Sequence, residues 1–89
     1  MKINITQEDI DNGRSGDCIL CPIALKLKQV TGVIWEVYWN SAFNTATTAT
    51  IDLPEDATDF ISMFDQQEKV MPFTFEFPWR SDEKITSIT

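Results

Sequence analysis

The segment MPFTFEFPW, residues 71–79, carries a large apolar side chain at every second position. Successive side chains of a β-strand point to opposite faces of a sheet, so this strict alternation predicts a strand with one buried face. An earlier segment, VIWEVYW at residues 33–39, is β-branched and aromatic and predicts a central strand. Alternation divides this second strand into two faces, with Val33, Trp35, Val37 and Trp39 on one and Ile34, Glu36 and Tyr38 on the other.

Two amphipathic helices are predicted to pack against these strands. The first helix has Asp17 as its expected cap, Pro22 in an early position and Gly32 at its end. Its apolar residues recur at steps of three and four, namely Leu20, Ile23, Ala24, Leu27 and Val30, while Lys26, Lys28 and Gln29 lie towards solvent. The second helix has Asp52 as its expected cap and Pro54 in its first turn. Its apolar side consists of Ala57, Phe60, Ile61 and Phe64.

Shorter elements are predicted around these four. Residues 2–5 alternate in the manner of a strand and lead into a short helix, with Thr6 as its N-cap and Gly13 at its end. The Thr-rich residues 44–51 predict an edge strand, which a turn at 40–43 joins to the preceding strand.

The order of elements predicts an α+β fold, because strands and helices do not alternate in regular βαβ units. We expect a small, mainly antiparallel sheet of three or four strands, packed on one face by the two longer helices. Residues 1–80 are expected to form a single globular domain, and the polar residues 81–89 a frayed tail.

The chain has 89 residues, a net charge of −7 and no histidine. Without histidine, most hydrolase triads and all His-containing zinc sites are excluded. A domain of this size also has little room for a deep substrate cavity. We therefore expect a protein that is not an enzyme and needs no cofactor.

Negative charge is concentrated at residues 52–68, which contain six carboxylates and no Lys or Arg. Such a segment repels nucleic acid and attracts basic partners. Four of the acids, Asp52, Glu55, Asp56 and Asp59, are expected on one side of the predicted helix, with about 5 to 6 Å between successive charges, similar to the phosphates of a nucleic-acid strand. The simpler alternative is a solvated helix face whose acids are favoured by the N-terminal helix dipole.

Cys18 and Cys21 form a C-x-x-C sequence at a predicted helix start, a spacing shared by thiol redox sites and by half of a zinc site. Zinc would need two further ligands, which would have to be carboxylates or the cysteines of a second subunit. The other interpretation is that both thiols pack as small apolar groups.

Ten aromatic residues are present, but they are not interleaved with Lys and Arg in the manner of a nucleic-acid binder. Most are expected in the core. One face of the 33–39 strand, carrying either Ile34 and Tyr38 or Trp35 and Trp39, could remain uncovered as an aromatic patch for a partner. Trp35 and Tyr38 are therefore candidate partner-binding residues.

The segments GDCILCPIAL, residues 16–25, and FDQQEKVMPFTFEF, residues 64–77, together with the opening TQEDIDNG at 6–13, resemble a family of small, largely uncharacterised proteins of bacteriophages and their hosts. The resemblance covers about a third of the chain and carries no catalytic motif. It implies a phage context, in which small acidic proteins often bind a host or defence protein. Anti-CRISPR proteins are similar in size and charge.

These observations predict a non-enzymatic, anti-CRISPR-like inhibitor or interaction protein. Its partner would be a basic, nucleic-acid-binding surface of a host defence or regulatory protein, rather than nucleic acid or a membrane. No apolar run approaches the ~20 residues of a membrane-spanning helix, and the first residues lack the apolar region of a signal peptide, so a cytoplasmic location is expected. The alternative function is thiol redox chemistry or zinc-linked dimerisation at Cys18 and Cys21.

Overall fold

The computed structural model describes residues 1–79, so Arg80 and the predicted frayed tail at 81–89 lie outside the described residues. Eight elements follow one another along the chain. They are β1 (Lys2–Ile5), α1 (Gln7–Asn12), α2 (Pro22–Thr31), β2 (Trp35–Val37), β3 (Ser41–Asn44), β4 (Thr50–Asp52), α3 (Glu55–Asp65) and β5 (Phe73–Glu76).

The strands form two small antiparallel sheets. In the first, β1 pairs with β5, with Ile3 opposite Phe75. In the second, the strand order is β2-β3-β4. The predicted α+β class is therefore confirmed, but two sheets replace the expected single sheet. β2 is an edge strand rather than a central one, and the Val37 N–H on it donates to the carbonyl of Cys18 at 2.7 Å.

One hydrophobic core joins the two sheets. Trp35 of β2 meets Phe77 and Trp79, which follow β5, in edge-to-face contacts with ring centroids 5.2 and 5.3 Å apart. Such aromatic pairs contribute about 0.5–1.5 kcal/mol beyond their burial. The chain's largest side chains therefore hold together segments that are far apart in sequence. The remaining core residues come from both sheets and from α2 and α3, namely Ile3, Ile5, Cys21, Ile23, Ala24, Leu27, Val33, Val37, Ala42, Leu53, Ala57, Phe60, Ile61 and Phe75.

Helix α2 begins later and faces the core differently than predicted. Its N-cap is Cys21, whose Sγ accepts the Ala24 N–H at 3.4 Å, while Asp17 accepts N–H groups from the turn before the helix. The reason is Pro22, which lacks an N–H and suits the first helical position. Val30 is exposed, because Thr31 takes the buried place beside Trp35 and its hydroxyl accepts the indole N–H at 2.8 Å.

The predicted turn at 40–43 is wrong, and the predicted edge strand at 44–51 is confirmed only at its end, where β4 is an edge strand paired with β3. The chain reverses earlier, where the Tyr38 N–H donates to the Ser41 carbonyl at 2.8 Å, so residues 41–44 form β3. The buried Asn44 then stabilises a loop, because its side-chain oxygen accepts hydrogen bonds from the N–H groups of Ala46 and Thr47. A side chain that satisfies the backbone locally competes with strand pairing.

Helix α1 has the predicted N-cap and end. Thr6 and Asp9 form a capping box, and Asp9 also contacts the Lys26 ammonium at 3.1 Å, so Lys26 is largely buried rather than solvated as predicted. At Gly13, an added Cβ would lie 2.5 Å from the ring of Pro22. The glycine is thus required by the close approach of the chain to the start of α2.

Candidate binding surface on helix α3

Helix α3 is fixed to the protein by its apolar side. Ala57, Phe60 and Ile61 are buried in the core, as the sequence predicts. A row of stacked rings connects the helix to β5, since Phe60 lies 4.8 Å from Phe73 and Phe73 lies 5.5 Å from Phe75. The opposite side of the helix is therefore presented to solvent on a rigid support.

All six carboxylates of residues 52–68 are exposed. Residues 1–79 contain two ion pairs, Lys26 with Asp9 and the amino group of Met1 with Glu76, and neither involves these six acids. Asp65 accepts the Gly16 N–H at 3.1 Å. Lys69 and Lys2 line depressions next to Asp56, but neither forms an ion pair with the six acids within residues 1–79.

The geometry corrects one part of the predicted acidic row. Asp52 ends β4 opposite Ser41 and does not cap α3, whose N-cap is Pro54 without a side-chain hydrogen bond. The helical row is therefore shorter and consists of Glu55 or Asp56 followed one turn later by Asp59. Asp52 adds its charge from the adjoining strand.

The helix dipole explains only some of these acids. It favours Glu55 and Asp56 in the first turn. Asp65 is the last residue of the helix, where the dipole favours a cation, and the last turn has no basic residue. The helix dipole therefore does not account for Asp59, Asp65 or Glu68, of which Asp65 has a local role as acceptor of the Gly16 N–H.

A groove that the sequence analysis did not predict lies between α3 and the chain entering β5. It has a volume of about 350 Å³. Its apolar lining is Phe60, Met63, Val70, Met71 and Phe73, and its polar lining is Asp56, Asp59, Lys69 and Thr74. Met63 is 40% exposed and Met71 is 67% exposed. The helical pattern leaves Met63 off the buried side of α3, but the strand alternation put Met71 on the buried face. Met71 is exposed because β5 begins only at Phe73.

Trp35 is excluded as a contact residue, because it is fully buried between Phe77 and Trp79. Tyr38 is 46% exposed, and its hydroxyl donates to Glu36 at 2.6 Å, a bond that raises the pKa of Tyr38. Trp39 is 67% exposed although alternation put it on the face of Trp35, because β2 ends at Val37 and the chain bends there. The exposed aromatic residues of this segment are thus Tyr38 and Trp39.

The two cysteines differ in environment. Cys21 is buried, and this burial raises the pKa of its thiol to about 11. A reactive thiol needs the opposite shift. Cys18 is partly exposed in a depression that Tyr38, Trp39 and Asp65 also line. Residues 1–79 contain no cluster of three His, Cys, Asp or Glu side chains that could hold a metal ion.

Comparison with protein-family models, curated proteins and solved structures finds no match to this chain. Within the described residues, the helices are all too short or too polar to cross a membrane. The exposed surface is therefore the feature from which a function can be inferred.

Proposed function

We propose that the protein is a non-enzymatic, phage-type inhibitor or interaction protein that binds a basic surface of a host protein through the exposed side of α3. One observation supports this proposal. The six carboxylates of residues 52–68 are all exposed, and none of them forms an ion pair within residues 1–79. A partner rich in Lys and Arg supplies the missing cations.

The partner is a defence or regulatory protein that binds nucleic acid in the host cytoplasm. Proteins of that class carry basic surfaces that follow a phosphate backbone. Glu55 or Asp56, together with Asp59, offers negative charges about one helical turn, roughly 5 Å, apart. With a chain charge of −7, association is accelerated by electrostatic attraction and slowed by salt.

A rigid support favours binding over catalysis. The acids stand on a helix fixed by buried aromatic rings, and none is buried as the catalytic carboxylates of small enzymes commonly are. Exposed carboxylates held in a fixed pattern suit recognition of charge.

The test is affinity capture from phage-susceptible host lysate at low and high salt, followed by association kinetics with the purified partner. One variant carries Asp52→Asn, Glu55→Gln, Asp56→Asn and Asp59→Asn. A matched control carries Glu8→Gln, Asp11→Asn, Asp82→Asn and Glu83→Gln and so loses the same charge elsewhere. We expect slower association and a flatter salt dependence for the first variant only. Equal behaviour of the two variants would contradict the proposal.

A further inference from the structure

The groove beside α3 combines apolar and acidic surface at one place. Phe60, Val70 and Phe73 line its inner part, and the exposed Met63 and Met71 lie at its opening. Asp56 and Asp59 lie along the same groove. Specific protein interfaces have this composition, with an apolar centre and a polar rim, and methionine side chains adapt their shape to a bound partner.

The two ends of the groove differ in charge. Helix α3 runs away from Pro54, and the chain then returns towards β5, with the Glu68 N–H donating to the Met63 carbonyl at 2.9 Å. Lys69 therefore lies near the C-terminal half of the helix. Asp56 lies at the other end, beside Thr74, where the two also line a neighbouring depression. Lys2 and Glu76 line that depression as well, and within residues 1–79 Lys2 forms no ion pair with Asp56.

We propose that this groove binds a short basic and amphipathic peptide segment of the partner. Apolar side chains of the segment occupy the space between Met63 and Met71 above Phe60 and Phe73, and a Lys or Arg beside them pairs with Asp56 and Asp59. The volume of about 350 Å³ is at the lower end of the range for pockets and suits a few side chains rather than a whole helix. This inference depends on the proposed function and names the part of the partner that α3 recognises.

Charge complementarity also argues against a second copy of this chain as the occupant. A two-fold dimer through the groove would bring the same patch of each copy together. Each copy would bring two groove acids, Asp56 and Asp59, and one groove cation, Lys69. Both sides of the interface would therefore keep net negative charge, and like charges across an interface disfavour association. A foreign basic segment avoids that repulsion.

The experiment uses two labelled synthetic peptides of equal charge, one alternating Leu with Arg and one alternating Ser with Arg, with binding followed by fluorescence anisotropy. The groove variant carries Met63→Ser and Met71→Ser. The matched control carries Val30→Ser and Ile34→Ser, two apolar residues that are exposed elsewhere. Thermal unfolding verifies that each variant is folded, and sedimentation measures self-association.

We expect the full chain and the control to bind the Leu/Arg peptide about tenfold more tightly than the Ser/Arg peptide, which corresponds to ~1.4 kcal/mol. The groove variant loses this preference but keeps the salt dependence of both peptides. If the two peptides bind the full chain equally with strong salt dependence, the groove is not the site although the electrostatic proposal stands. If neither peptide binds in a salt-dependent way, the proposed function itself fails. A dimer that the methionine substitutions abolish would also overturn the inference.

Discussion

Two acidic sites of this protein differ in whether their carboxylates are neutralised within the chain. At the corner between α1 and α2, the carboxylate of Asp9 accepts two hydrogen bonds from Thr6 and contacts Lys26, and 14% of its side chain is exposed. On α3, Asp59 is exposed and has no cation partner within residues 1–79. Charge that stabilises the fold is thus satisfied inside the chain. The charge on α3 forms no ion pair within residues 1–79, and under the proposed function a partner supplies the cations.

A substitution in the core, which supports both sites, should cause the largest loss of stability. Replacing Trp35 with Ala removes the ring between Phe77 and Trp79, and we expect a loss of about 3–5 kcal/mol of unfolding free energy in urea denaturation. Trp39→Ala is the matched control, because this tryptophan is exposed and should change stability by less than about 0.5 kcal/mol. Equal effects at the two positions would show that the burial pattern of this segment is wrong.

Adding even one methyl group at the corner between α1 and α2 should lower the stability of the protein. In Gly13→Ala the new Cβ would lie 2.5 Å from the Pro22 ring, so the backbone must move. We expect a loss of about 1–3 kcal/mol, typical of overpacking, measured by the midpoint of thermal unfolding. Gly16→Ala separates this steric effect from conformational strain, because Gly16 has a φ of 73° but no atom near the added Cβ.

The Asp9 network should contribute a pH-dependent part of stability. Partial burial raises the pKa of Asp9, but the hydrogen bonds from Thr6 and the contact with Lys26 outweigh it, so the pKa is lowered overall. A lowered folded-state pKa gives stability that is present above the unfolded value of about 4 and is lost as pH falls through the folded value. We expect Asp9→Asn to cost about 1 kcal/mol near neutral pH and much less at strongly acidic pH, in urea titrations.

Asp59→Asn is the corresponding change on α3 and should have the smallest effect. We expect stability to change by less than about 0.5 kcal/mol, because the side chain is exposed. Affinity for a basic partner should fall by only about 0–1 kcal/mol, as for single exposed ion pairs. Chemical denaturation and titration calorimetry measure the two quantities. A large loss of stability would mean that Asp59 has a structural role like that of Asp9.

The elements that could be predicted from sequence are those with complete local patterns. The alternation around Phe75 and the helical spacing of Ala57, Phe60 and Ile61 each determine a buried face. The start of α2 could not be predicted as reliably, because Asp17 and Cys21 both accept the N–H group three residues later and Pro22 is an early residue of the helix with either cap. Local signals fail where two neighbouring residues offer the same backbone interaction.

The candidate site was only partly predictable for a similar reason. The exposure of Asp56 follows from its place on an amphipathic helix, but the groove beside it depends on how α3 meets the chain before β5. Alternation also cannot show where a strand stops, so it placed Trp39 with Trp35 although the chain bends after Val37. Surfaces made by two elements need the tertiary arrangement.

The pairing of β1 with β5 determines when the protein can fold during its synthesis. Ile3 and Ile5 lie opposite Phe75 and Phe73, so this sheet joins residues separated by almost the whole described chain. Contacts between distant residues close a large loop and form slowly. A nascent chain on the ribosome therefore carries β1 without its strand partner until β5 has left the exit tunnel. The acidic helix precedes β5, so it emerges before the ring of Phe73 that supports it, and the groove that both elements line forms only after β5 has emerged.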